Sequence, residues 1–163
     1  MKKLNNPFAR KEDYNCFGCD PRNPTGLALE FYEDGDELVT FWKPGASYQG
    51  YNMVLHGGIQ ATLHDEIASW TVFVKGGTAG FTRSLSVEYL QPAYTNDTQI
   101  TVRAGLSSLE EKSAKIESVL YDSQGKACSR AVADYAIFPQ KLALRKFGFP
   151  GREAFYTAEG SED

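Results

Sequence analysis

Between Ile59 and Val74 the apolar positions fall at 59, 63, 67, 70 and 74, which is the spacing of one helical face. The pattern predicts one long helix, opened by His56-Gly57-Gly58 and stopped after Lys75 by Gly76-Gly77. Beyond Ile67 the other faces are apolar as well, with Ala68, Val72 and Phe73 off the stripe. A helix greasy on most sides is buried on most sides. Asp65 and Glu66 are therefore expected to be carboxylates deep in the fold, which demands a reason.

On either side of this helix the period changes to two. Residues 26–33 alternate with Leu27, Leu29 and Phe31 on one face, and Asp34-Gly35-Asp36 reads as a turn. Residues 37–42 return as a second strand, ended by Pro44-Gly45. After the helix, positions 81, 85, 87 and 89 are apolar or aromatic until Pro92 closes the strand. Ile100, Val102, Ala104 and Leu106 alternate next, then Ala114, Ile116, Ser118 and Leu120. Asp122-Ser123-Gln124-Gly125 is a hairpin turn signal, and a last strand runs from about 127 to 138. The order is strand, strand, long helix, four strands. It predicts an α+β fold in which an antiparallel sheet is covered on one face by the single long helix.

Residues 1–25, with prolines at 7, 21 and 24, read as an irregular lead-in, and 26–138 as one domain. Residues 139–163 are expected to be a C-terminal extension, with a short helix over 141–146 and a disordered tail at 158–163.

A chain of 163 residues suits one core, and 42% hydrophobic with 23% charged residues is ordinary for a soluble protein. The net charge of -4 argues against a nucleic-acid surface. No apolar run reaches the roughly 18 residues of a membrane span, and the N-terminus lacks the apolar core of a secretory signal. Three cysteines make no disulfide framework, so a reducing, cytoplasmic setting is expected. Cys16-Phe17-Gly18-Cys19 has the spacing of half a zinc site or of a redox motif. Zinc takes about four ligands, and the candidates left are Cys128, His56 and His64. The favoured reading is two small buried thiols pinning the lead-in, with no metal.

Three stretches together resemble the hotdog-fold acyl-CoA thioesterases, in particular their phenylacetyl-CoA-thioesterase-like (PaaI-type) branch. They are His56-Gly57-Gly58 followed by Leu63 and Asp65; Ser86-Val87-Glu88-Tyr89-Leu90-Gln91-Pro92-Ala93; and Cys16-Phe17-Gly18-Cys19 with Asn23-Pro24-Thr25-Gly26-Leu27. The resemblance spans residues 14–138. It implies a hotdog fold, a sheet wrapped around one central helix. It implies hydrolysis of a small or medium acyl-CoA, aromatic acyl groups included, to free acid and coenzyme A, with no cofactor. It assigns Asp65 as nucleophile or general base and the Gly57 N–H as the group that polarises the carbonyl. It gives His56 the placing of the carbonyl or leaving sulfur, and Thr82 the holding of the attacking water. Some relatives carry Asn six residues before the histidine. Here that position is Gly50, and Gln49 and Asn52 are the neighbouring amides able to compensate.

Those roles make physical sense. Amides in the first turn of a helix have no intrahelical partner, the helix dipole points the same way, and a glycine lets a carbonyl approach. Gly57 and Gly58 both qualify. Glu66, a second candidate carboxylate, lies about 100° around the helix from Asp65 and cannot do the same job. His64 reads as a satisfied helix histidine. No Gly-x-Ser-x-Gly elbow is present. Asp65 follows Gly57 by eight residues, about 12 Å along the axis. If both act on one thioester they come from two chains, which predicts a homodimer with two shared sites and antiparallel helices. Pairing of dimers into tetramers is left open. A hotdog hydratase or dehydratase and a non-catalytic acyl-CoA-binding protein are the competing functions.

Overall fold

The structure is a computed structural model that describes residues 1–156; the tail expected to be disordered lies outside them. The strands are β1 (Lys2–Lys3), β2 (Phe31–Asp34), β3 (Glu37–Trp42), β4 (Gly80–Tyr89), β5 (Ile100–Leu109), β6 (Ser113–Tyr121) and β7 (Ala127–Ile137). The helices are α1 (Gly57–Val74) and α2 (Gln140–Phe147). All strand pairs are antiparallel, in the order β1-β2-β3-β5-β6-β7-β4. The sheet wraps α1, which touches every strand from β3 to β7. This is the hotdog arrangement. Because α1 carries the chain from β3 to the far edge, β4 pairs with β7 alone.

The strand expected over 26–33 is shorter. Ala28 has φ 50°, which an extended chain does not tolerate, and ladder pairing starts at Phe31 opposite Thr40. The residues before it turn to the lead-in instead: the amides of Leu27 and Leu29 donate to Phe17 O (2.8 Å) and Gly18 O (2.9 Å). Leu27 and Leu29 are still buried, so the alternation reports burial but not pairing. β1, two lysines with no apolar signal, was not expected.

The all-round greasiness of α1 has two causes. Leu63, Ile67, Ala68 and Val72 are fully buried against the sheet. The opposite face is covered by the lead-in and the C-terminal extension, whose Phe8, Phe149 and Phe155 rings stand around Phe73 at 5.4–6.0 Å between centroids. Trp70 stacks on Phe31 at 4.3 Å. Asp65 and Glu66 are half-buried rather than fully buried, because each lies at the border between these coverings. Among the described residues no helix is long and apolar enough to cross a membrane.

Candidate active site

The segment before α1 is pinned at both ends. His56 N donates to Tyr48 O (2.9 Å), Gln49 bridges to Leu55, and Leu55 N donates to Ala93 O (2.8 Å). His56 is thereby fixed as the N-cap of α1: its Nδ1 accepts from Gly58 N at 2.9 Å, and its carbonyl accepts from the amides of Ile59 and Gln60. An accepting Nδ1 leaves the proton of a neutral ring on Nε2. Gly58 is not the free amide expected, since His56 already occupies it. Gly57 N–H has no partner among the described residues.

A cleft of about 790 Å³ opens over this helix start, walled by Gln49, Gly50, His56, Gly57, Gln60 and Tyr89, among others. The Tyr89 hydroxyl donates to Gly57 O at 2.7 Å, and a Cβ on Gly57 would lie 3.1 Å from that hydroxyl. Glycine is what lets β4 close so tightly on the helix start. A Cβ at Gly50 would stand 3.4 Å from the His56 ring, so its absence leaves that flank of the cleft open. Gln49 lies in the wall, where its Oε1 accepts from Met53 N (3.3 Å). Asn52 is exposed on the loop and is not in the wall.

Gln60 is a further polar group at this cleft, one that the helical period does not single out. It is 3% exposed; its Nε2 reaches Leu55 O at 3.4 Å, and its Oε1 has no partner among the described residues. An orphaned buried acceptor costs on the order of 1–3 kcal/mol, so a donor entering the cleft would be rewarded here. Its only sequence signal was a polar residue in a segment otherwise committed to burial.

Asp65 lies two turns further along α1, about 12 Å from Gly57 along the axis, and is not in the wall of that cleft. Thr82, near the start of β4, donates from Oγ1 to Asp65 Oδ1 at 2.7 Å. The Tyr135 hydroxyl on β7 reaches Asp65 O at 3.2 Å and Oδ1 at 3.4 Å. Burial, then the Asp65 charge, raises the Tyr135 pKa, so the phenol stays a donor. Oδ2 is left with no partner among the described residues. Tyr135 is buried on the core face of β7, and its hydroxyl brings it to Asp65 as well.

Glu66 points elsewhere. Its Oε1 accepts from Cys16 Sγ at 3.5 Å, beside a separate cleft that also includes Tyr14, Cys19 and Trp70. Desolvation, then the nearby Cys16 charge, pushes the Glu66 pKa up to about 8. Among the described residues it makes no hydrogen bond to Thr82 or Tyr135, which both bond to Asp65.

His64 faces the sheet, fully buried, with Nδ1 2.7 Å from Ser118 Oγ and Nε2 3.0 Å from Ser129 Oγ. Ser118 interrupts an otherwise apolar face of β6 to meet it. Burial lowers the His64 pKa from 6.5 to about 4. Between those values the unfolded chain binds the extra proton, so this group makes stability fall as pH drops through the window. Glu66 acts with the opposite sign, because its folded pKa is raised. A variant pair therefore isolates His64. His64→Gln should lose about 2 kcal/mol less stability than the wild type between pH 7 and pH 5, measured by urea unfolding at the two pH values. An identical pH dependence in both proteins would contradict a neutral buried imidazole.

Among the described residues β4 ends the sheet, and its outer edge has no strand beside it. Among the four strands of nine or more residues it alone has no buried residue, and Phe81 and Tyr89 are half exposed on it. Long apolar edges of this kind invite pairing with another chain.

The sequence model of the thioesterase superfamily matches residues 52–129, the span from the loop before α1 into β7. Solved structures give the same fold. A thioesterase superfamily protein superposes with a TM-score of 0.68 at 20% identity, covering 75% of this chain and 63% of that one, so this chain spans less than two thirds of its length. The PaaI protein of the E. coli phenylacetic acid degradation operon gives 0.63 at 16% identity, covering 70% and 82%. A hypothetical thioesterase protein of Streptococcus pneumoniae TIGR4, solved with coenzyme A, gives 0.64 at 22% identity, covering 69% and 87%. No curated protein matches the chain.

Proposed function

We infer that this chain, which belongs to the thioesterase superfamily and carries the hotdog fold, is an acyl-CoA thioesterase working as a homodimer with shared sites. One observation carries the reading. A single helix presents a free N-terminal amide in a cleft and, two turns on, a carboxylate with one oxygen held and one free. Thioester hydrolysis needs those two groups around one carbon.

The thioester carbonyl oxygen takes the Gly57 N–H, where the helix dipole favours the developing oxyanion. Asp65 of the second chain supplies its free Oδ2. As general base it takes a proton from water while the water oxygen bonds to the carbonyl carbon. The tetrahedral intermediate then collapses, the C–S bond breaks, and the sulfur leaves as coenzyme A thiolate, which takes up the proton. As nucleophile, Asp65 instead forms an anhydride that water later cleaves. Thr82 donates to Oδ1, so its lone pairs remain to accept from that water. The Nε2–H of His56 stands ready for the carbonyl or the sulfur. Gln60 Oε1 and the Gln49 amide suit the amide groups of the pantetheine arm. The unpaired β4 edge and its exposed Phe81 and Tyr89 support a second chain pairing there.

Small and medium acyl groups, aromatic ones among them, are the proposed substrates. The test is release of free thiol from a panel of acyl-CoAs, read with a thiol reagent. Saturable thiol release is the expected result. A change in enoyl absorbance without thiol would identify a hydratase, and thermal stabilisation by acyl-CoA with neither would identify a binding protein.

A further inference from the structure

The Cys16–Cys19 loop is laid directly on α1. Leu27 and Leu29 hold it by hydrogen bonds to Phe17 O and Gly18 O. Gly18 lets the loop lie against Glu66, since a Cβ there would stand 2.5 Å from Glu66 Oε2 and push the carboxylate aside. As a result Cys16 Sγ, Cys19 Sγ and a Glu66 carboxylate oxygen all lie within 4.8 Å of one another.

We propose that Cys16, Cys19 and Glu66 form a binding site for a borderline-soft divalent cation of the zinc type, with the fourth position open to the neighbouring cleft. Two thiolates and one carboxylate suit such an ion. With Zn–S about 2.3 Å and Zn–O about 2.0 Å, the sulfur–oxygen edge of a coordination tetrahedron is about 3.5 Å. Cys16 Sγ and Glu66 Oε1 are 3.5 Å apart. An outer shell is in place too: Trp70 Nε1 donates to Cys19 Sγ at 3.5 Å, and the Tyr14 hydroxyl lies 2.9 Å from the same sulfur. Donors to a ligating thiolate fix its orientation and tune its basicity. The cleft of about 360 Å³ in front of Cys16 supplies the entry path and room for a water or a small ligand. Binding requires Cys16, Cys19 and Glu66 in their deprotonated forms, so the cation displaces any proton they carry. The ion ties the lead-in to α1 at the residue next to Asp65.

The Cys-x-x-Cys stretch offers two ligands in sequence. Glu66, fifty residues later, enters the count once the fold brings it there.

The test titrates Co²⁺ into reduced, metal-free full-length protein under anaerobic conditions. One equivalent per chain is expected, with thiolate-to-cobalt charge-transfer absorption and tetrahedral d–d bands. Zn²⁺ should displace the Co²⁺ and raise the melting temperature. Cys16→Ser should abolish the charge-transfer signal of a two-thiolate site, and Glu66→Gln should weaken Co²⁺ binding at least tenfold. Competition of the wild type against a zinc-binding dye gives stoichiometry without any variant. No charge-transfer absorption in the reduced wild type would overturn the proposal, as would binding unchanged in Glu66→Gln. So would a chain that closes a Cys16–Cys19 disulfide and takes up no metal. None of these readouts uses thioester hydrolysis, so failure here and failure of the thioesterase reading are separate results.

Discussion

Asp65→Asn should lower kcat for acyl-CoA hydrolysis by about 10²–10⁴-fold, the range for loss of a positioned acid–base group, and leave KM nearly unchanged. The substitution is close to isosteric. An asparagine Oδ1 still accepts from Thr82 Oγ1 and lies within reach of the Tyr135 hydroxyl, the two contacts that hold Asp65 now. What it loses is the charge and basicity of the free oxygen. Asp65 is half-buried and anchored at one oxygen only, so the fold should tolerate the change, and circular dichroism with thermal melting checks this. Steady-state thiol release is the measurement. Wild-type kcat in the asparagine variant would remove Asp65 from the chemistry. Thr82→Val should have a smaller effect of the same kind, because it frees Oδ1 without removing the charge.

Gly57→Pro should cost about 10²–10³-fold in kcat, the usual effect of deleting one oxyanion donor. Proline at the first helical position is conformationally welcome, and its missing N–H would have been unpaired in any case. The preceding residue must be extended, and His56 has φ -58° and ψ 133°, which meets that demand. The helix should therefore form with its cap intact while the amide is gone. The ring will press on the Tyr89 hydroxyl, the far end of a half-exposed side chain that has room to move. Gly57→Ala is the control: it adds the Cβ beside Tyr89 and keeps the N–H. If the alanine variant loses as much kcat as the proline variant, crowding is the cause and the amide is not the oxyanion donor.

Local signals made most of this molecule legible. The 3.6-residue period fixed α1 within a residue or two, because its buried stripe has no competing pattern. Strands β3 and β5 to β7 followed from alternation, since each buries one face against the helix; β4 alternates as well but has no buried residue. The boundary that failed, at residues 26–30, failed because burial and ladder pairing separate where Ala28 adopts a positive φ. At the candidate site, helix-end chemistry pointed to the Gly57 and Gly58 amides alike, while Asp65 entered through the family resemblance. The difference between Gly57 and Gly58 was not legible, because it depends on how the His56 ring turns back on the cap. Tyr135, Gln60 and the Glu66–Cys16 contact were equally hidden. Each is a meeting of residues brought together by the fold, and a period of two or 3.6 reports a face but not what stands opposite it.

The claim beneath the rest is that two chains meet at each reacting carbon. Heterodimers of Asp65→Asn and Gly57→Pro chains, each carrying a different affinity tag and purified through both, test it directly. One of their two sites then joins an intact Gly57 to an intact Asp65. The account predicts that this mixed species recovers up to about half the wild-type kcat per dimer, while each parent homodimer stays at its own low level. Verified heterodimers no more active than the parents would show that each chain works alone, and would contradict the shared site.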